Sequence, residues 1–324
     1  MRRVHTLVSL VFLVLAVPSL AQRVVVFPME QEQGPPSTQW IGTGLEVALD
    51  ECLRQGGVLT IPYEDLRRHF DQSGLVDDPS FRLPSQVALC RQFGAGVLVT
   101  GSYTVKGERL SVHMEALQAA GDLNRLGSWT EEADLQSLLT LSGKLEEHIF
   151  QVLGQPWKLP PSVRPEAFES YIRGRIATDP TLQEVYYRKA LEIQPDYYDA
   201  QCYLAVLLKD SGRLTEATEL LQGLESRSYA KAYLGLLSLA EIRMEEGRLL
   251  EGQRLLLASL KASESAEAHI GLARLYIKQK RMAEAQAELT VASKFGTHGE
   301  EIESLRGQIE TARPVPQAGT EKEK

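Results

Sequence analysis

Apolar positions follow two rhythms along this chain, short β-branched runs mixed with helical spacings in the first half and almost unbroken helical spacing in the second. Arg23-Val24-Val25-Val26-Phe27-Pro28 predicts a buried strand that gives way to a polar loop over Glu30 to Ser37. Ile41, Leu45, Ala48, Leu49, Cys52 and Leu53 recur every three or four residues, which places them on one helical face. Gly56-Gly57 ends that helix, and Val58 to Pro62 reads as a second strand. Short helices are predicted over Tyr63 to Phe70 and Ser85 to Phe93, on either side of a polar stretch containing Asp77-Asp78-Pro79. Gly96 to Tyr103 is apolar enough for the centre of a sheet. After the turn at Lys106-Gly107, Leu110, Val112, Met114 and Ala116 alternate with polar residues as in a half-buried hairpin strand. A turn at Gly121-Asp122 leads to a last strand around Leu126 to Trp129, and Leu138, Leu141, Leu145, Ile149 and Val152 form an amphipathic closing helix. The first half is thus predicted to be an α/β domain, a mixed sheet covered by helices.

The second half repeats itself. Leu204, Leu239 and Leu272 are separated by 35 and 33 residues, and fixed offsets from them recur. One residue on stand Ala205, Ala240 and Ala273; thirteen on stand Ala217, Gly252 and Ala285, small enough for two helices to approach closely. Seventeen on, Leu221, Leu256 and Leu289 fill the seam, and Gly212, Gly247 and Lys280 mark the turn between helices. This pattern resembles the tetratricopeptide repeat (TPR), with a fourth unit before the other three. Its first helix spans Glu166 to Ile176, and its second ends at Ala190-Leu191-Glu192-Ile193 and Pro195. Arg243 and Ser259 depart from the aromatic and alanine that the family prefers, so loose packing is expected in the third unit.

The order of FP, WIGTGLEVAL, FGAGVLVTGSYTVKGERLSVHMEAL and GDLNRLGSW resembles the α/β domain at the amino terminus of TolB and TolB-like bacterial proteins. The helix Tyr171-Ile172-Arg173-Gly174-Arg175 is similar to the junction in proteins that join such a domain to TPRs. For the α/β domain the resemblance implies docking to an envelope complex or self-association; the plainer reading is a spacer that positions the repeats.

Arg2-Arg3, the apolar run Leu7 to Pro18 and Ser19-Leu20-Ala21 read as a signal peptide cleaved after Ala21, since the run is shorter than the roughly 20 residues of a spanning helix. The expected organisation is a signal peptide over 1–21, the α/β domain over 22–154 and a proline-rich linker over 155–165. TPR-like repeats follow over 166–298, a capping helix over 299–312 and a disordered tail over 313–324. Location in the periplasm follows, with no stable membrane insertion after cleavage; the alternative is a retained segment tethering the protein to the inner membrane. A net charge of −8 argues against nucleic acid as a partner, because that affinity rests on surplus Lys and Arg.

No signature of a hydrolase, zinc protease or P-loop is present, and Gly42-Thr43-Gly44 lacks the third glycine of a dinucleotide fingerprint, so it reads as the start of a helix. His69, His113, His148, His269 and His298 have no metal-pair spacing, and the adjacent pairs Glu131-Glu132 and Glu146-Glu147 read as solvated faces. Cys52 and Cys90 could pair in an oxidising compartment; burial of these and Cys202 as small apolar residues is the preferred reading. The expectation is a protein without catalytic, cofactor or metal residues, an adaptor or scaffold for protein interaction in the envelope. The alternative in that class is an accessory subunit of an envelope enzyme complex. The repeat register predicts an inner face made of Cys202, Val206 and Lys209, then Leu237, Glu241 and Met244, then Ile270, Arg274 and Ile277. Several of these could instead pack within the array. The partner expected for such a face is an amphipathic protein segment.

Overall fold

The structure, a computed structural model, describes residues 23–61, 82–158, 162–223, 232–295 and 298–311. The signal segment, the Tyr63 to Phe70 helix, the tail and part of the linker lie outside them. Five strands form one mixed sheet. β1 (Arg23–Val26) and β2 (Glu30–Gln33) both run parallel to β3 (Ala95–Lys106), which pairs antiparallel with β4 (Arg109–Gln118), and that with β5 (Asn124–Asp134).

Alternation along the strands decides the two faces. Val24, Val26, Val97 and Val99 join the core beneath α1 (Trp40–Gln55) and α3 (Leu138–Leu153). Val25, Phe27 and Leu98 point the other way, to Ile61 and to α2 (Leu83–Gln92). Cys52 and Cys90 therefore sit in cores on opposite sides of the sheet, and these two and Cys202 are buried and not joined in a disulfide. Burial pushes the Cys90 thiol up to about 12.

Three expectations change. The polar stretch after Pro28 is not only loop: β3 is longer than β1, and β2 continues beside its far half, Glu30 opposite Ser102 and Gln31 opposite Tyr103. Its side chains are mostly exposed, so no apolar alternation announced it. The segment Val58 to Ile61 touches β1 through a single bridge, Thr60 to Val24, rather than as a full strand. The last strand is longer than its apolar stretch, because β5 lies at the sheet's edge with mostly exposed side chains. The succession of strand, glycine-bearing helix, Gly-Ser strand, hairpin and tryptophan strand is the one expected from the TolB resemblance.

Gly42 and Gly44 are there for closeness. A Cβ on Gly42 would lie 2.1 Å from the Met29 carbonyl oxygen, and one on Gly44 would press on Trp40 and Phe168 at 3.2 and 3.3 Å. Both let α1 approach its neighbours, consistent with a helix start rather than a nucleotide loop.

Helical hairpins make up the rest: α4 (Pro165–Ile176) with α5 (Pro180–Ile193), α6 (Tyr198–Asp210) with α7 (Leu214–Leu221), α8 (Ala232–Glu245) with α9 (Leu249–Ala262), and α10 (Ala266–Lys278) with α11 (Met282–Ala292). A last helix, α12 (Gly299–Thr311), packs Ile302, Leu305 and Ile309 onto the final hairpin. Leu204, Leu239 and Leu272 occupy matching buried sites, and Ala205, Ala240 and Ala273 are fully buried. The turns of the last three hairpins close in one way: Gly212, Gly247 and Lys280 have φ of 76°, 77° and 61°. The next residue's N–H, on Arg213, Arg248 and Arg281, donates at 2.8 Å to Leu208, Arg243 and Tyr276. These arginines then pair with Glu216, Glu251 and Glu284, three residues on.

The third unit is not loose. Ser259 is fully buried and its hydroxyl donates to the Tyr233 carbonyl at 2.8 Å, while Arg243 pairs with Glu246 at 2.8 Å.

The repeats pack directly on the α/β unit, and one apolar core runs from the sheet through α1 and α3 into the hairpins. Trp40 meets Phe168 edge-on at 6.4 Å. Each residue of the Tyr171-to-Arg175 run has a task at this seam. The Tyr171 hydroxyl donates to Glu51 at 2.9 Å and accepts from Arg175 at 2.8 Å. Arg173 donates to the Ser37 carbonyl at 2.9 Å, Ile172 is core, and Gly174 leaves room for the Tyr187 ring. Arg175 lies 4.2 Å from the Tyr203 ring centroid. Burial pushes the Tyr171 hydroxyl well above its ordinary value, with Arg175 opposing and Glu51 adding to the shift. Farther along, Arg54 donates to the Tyr233 hydroxyl at 2.6 Å, and Arg23 donates to the carbonyls of Lys294 and Phe295.

Candidate protein-binding surface

The first helices of the hairpins carry the residues expected to face inward, and their offset from the leader leucine separates them. Two residues before it, Cys202, Leu237 and Ile270 are buried, at 2%, 7% and 2% exposure. Cys202 lines a crevice against Glu51 and Arg54 of α1. Leu237 packs toward the small Gly271 of the next unit, and Ile270 belongs to the core under α12. These side chains hold neighbouring units together, which corrects their placement on a contact face. Met244, at 6% exposure, is likewise taken up inside its unit, against Gly252.

Two and five residues after the leader, Met244 apart, the side chains stay accessible. Val206 and Ile277 are half-buried. Between them Lys209 pairs with Glu241, Glu241 reaches Arg274 at 3.5 Å, and Arg274 pairs with Glu301 of α12. The helices α6, α8, α10 and α12 thus share one ladder of alternating charge. Burial works against the Lys209 ammonium, but the carboxylates of Glu241 and Asp210 together outweigh it and hold the amine above its ordinary value. Exposure of the side chains rises from 17% at Lys209 to 45% at Arg274 and falls to 32% at Glu301. Glu301 was legible only once α12 was seen to extend the row.

The acidic pairs also need correction. Glu146 is not on a solvated face: it is 3% exposed, accepting from the Ser142 hydroxyl at 3.0 Å and from the Trp157 indole at 3.4 Å. Glu131 lies on β5, where His148 at 3.0 Å and Lys144 at 3.2 Å hold its carboxyl below the usual range. His148 in turn stacks on Trp129 at 5.1 Å. His269 contacts Glu288 at 2.6 Å, and His113 contacts Thr130 at 3.0 Å. Among the described residues no three His, Cys, Asp or Glu side chains gather so as to hold a metal ion, and no helix is long and apolar enough to cross a membrane.

Comparison with known families supports the helical reading: models of the tetratricopeptide repeat match residues 186–219 and 243–309. No curated protein matches the sequence. Among solved structures, TolB from Acinetobacter baumannii aligns at 14% identity and a TM-score of 0.29, over 42% of this chain and 29% of that one. Lipoprotein GNA1162 from Neisseria meningitidis aligns at 18% identity and 0.32, over 41% of this chain and 94% of that one. The LpoB C-terminal domain from Salmonella enterica aligns at 14% and 0.28, over 35% and 83%. The helical half of this protein is an array of tetratricopeptide repeats, a protein-interaction module, mounted on an α/β unit with a mixed sheet.

Proposed function

We propose that this protein is an exported adaptor of the bacterial envelope, whose repeats hold a segment of another protein along their inner face. The observation that carries the reading is the accessible ladder from Lys209 through Glu241 and Arg274 to Glu301, flanked by Val206 and Ile277. A strip with both charge signs and apolar neighbours suits an amphipathic segment better than a uniformly acidic or basic tail, because each fixed charge finds an opposite sign only in a mixed partner. The leader residues support export, and a mature chain beginning at Gln22 is the expected result of amino-terminal sequencing. The α/β unit, docked on the first hairpin and braced to the last by Arg23, would set the orientation of the array toward its complex.

The test must spare the packing residues. Arg274→Ala with Val206→Ser removes accessible groups, whereas replacing Leu237 or Ile270 would open the core, and Ile277 packs in part on the cluster under α12. The double variant is expected to lose at least about tenfold in capture of the co-purifying protein from envelope extracts, as loss of a few groups at an interface centre gives. Its helical circular dichroism should match the parent's. Undiminished capture by the folded variant would remove the inner face from the account.

A further inference from the structure

β5 ends the sheet, and among the described residues no strand pairs with its outer edge. The opposite border is occupied: the Val24 N–H donates to the Leu59 carbonyl at 2.9 Å, and the Val24 carbonyl accepts from Ile61 at 3.1 Å. β5 is also long, 11 residues against 4 in β1 and in β2.

Hydrogen-bond phase tells which groups that edge presents. The Leu135 N–H, one residue beyond the strand, donates to the Glu108 carbonyl at 2.6 Å, and the register sets Ala133 against Leu110, Glu131 against Val112 and Trp129 against Met114. Alternation along an antiparallel ladder then turns the backbone groups of Ala133, Glu131 and Trp129 toward β4, and those of Ser128, Thr130, Glu132 and Asp134 outward. The Ala119 N–H, donating to Gly96 at 2.9 Å, fixes the same phase from the far side of β4. The outward residues also have exposed side chains.

Open edges are usually blunted by lysine, proline or short length. β5 has no lysine and no proline. Three of its four charges are matched from behind, by groups on β4 and α3: Arg125 by Glu115 at 2.9 Å, Glu131 by Lys144 at 3.2 Å and His148 at 3.0 Å, and Glu132 by Arg109 at 3.2 Å. The register shift, opposite Ala116 and Leu117, lies near the strand's start and leaves residues 127–134 regular.

We propose that β5 pairs with the β5 of a second copy of this chain, antiparallel about a two-fold axis near Trp129, so that one sheet runs through both copies. The edge selects a second copy because it complements itself. An antiparallel copy brings the start of each strand, with Arg125, beside the end of the other, with Glu131, Glu132 and Asp134, whereas a parallel copy would set acid against acid. Ser128 of one strand then faces Thr130 of the other, outward backbone meeting outward backbone. Leu123 and Leu126, 45% and 40% exposed at the strand's start, lose contact with water in the same step. Each copy uses up the other's edge, so pairing closes at a dimer that carries two repeat arrays.

Sedimentation of the mature protein over a concentration series reads the association, and a concentration-dependent dimer is the expected result. Amide hydrogen exchange locates it. Ser128, Thr130 and Glu132 should slow at least about tenfold from monomer to dimer, whereas Trp129 and Glu131, bonded to β4, exchange slowly in both. Thr130→Pro removes an outward N–H and spares the inner ladder. It should weaken association at least about tenfold, the effect of leaving a carbonyl unpaired in each copy, with the melting temperature of the monomer unchanged. A monomer at every concentration, or a dimer in which those three amides exchange as in the monomer, overturns the proposal. So does protection that appears only on adding envelope extract, which would give the edge to a strand of another protein. Capture through the ladder does not involve β5, so failure here leaves the adaptor reading standing.

Discussion

Arg175→Met is expected to lower the stability of the protein by about 3–5 kcal/mol, the range for removing one partner from a buried ionic cluster. Methionine replaces much of the volume but none of the charge. The Tyr171 hydroxyl loses its donor at 2.8 Å, the Tyr203 ring loses the guanidinium at 4.2 Å, and Glu51 is left beside Tyr171 without the nearby cation. At 5% exposure, water does not reach the site well enough to compensate. Denaturation in urea gives the value, and a loss below about 1 kcal/mol would mean that the seam does not depend on this cluster.

One residue earlier the argument is steric. In an open helix, replacing glycine by alanine stabilises by about 1 kcal/mol. At Gly174 the sign should reverse, because the new Cβ would stand 2.5 Å from the Tyr187 ring. That ring cannot step aside: it is 4% exposed and packed against Tyr171 and Tyr203, with centroids at 6.3 and 6.1 Å. Gly174→Val, with a branched side chain in the same gap, is expected to cost about 3 kcal/mol, the upper part of the usual range for overpacking. Thermal melts of the two variants check the sign, and stabilisation by Gly174→Ala would place the first hairpin elsewhere.

The repeats were legible because a helix crossing demands small residues at fixed places: Ala205 and Ala217 recur as Ala240 and Gly252, then as Ala273 and Ala285. A further regular signal lay nine and twelve residues after each leader, the arginine and glutamate that close the turn and begin the second helix. The half-buried and central strands showed through their alternation or apolar runs, whereas β2 did not, since a strand with mostly exposed side chains carries no period of two. The inner face was half legible. Helical spacing places Leu237 on the same side as Glu241, but only the neighbouring Gly271 reveals that its end is covered. Glu146 was missed for a similar reason, because its burial is created by Trp157, eleven residues away beyond the helix end. The junction was named by resemblance, but its physics lies in contacts such as Tyr171 to Glu51 that span 120 residues.

The central claim is that the first helices of the repeats, not the second, hold the partner. Site-specific photo-crosslinking compares the two directly, with a benzophenone side chain placed at Val206 or Ile277 on the inner row, or at Leu250 or Leu257 on α9. Those leucines are the natural rival, being 81% and 50% exposed. Crosslinks to one discrete protein from the Val206 and Ile277 positions, and none from the two leucine positions, are the predicted result. The reverse pattern would contradict the account.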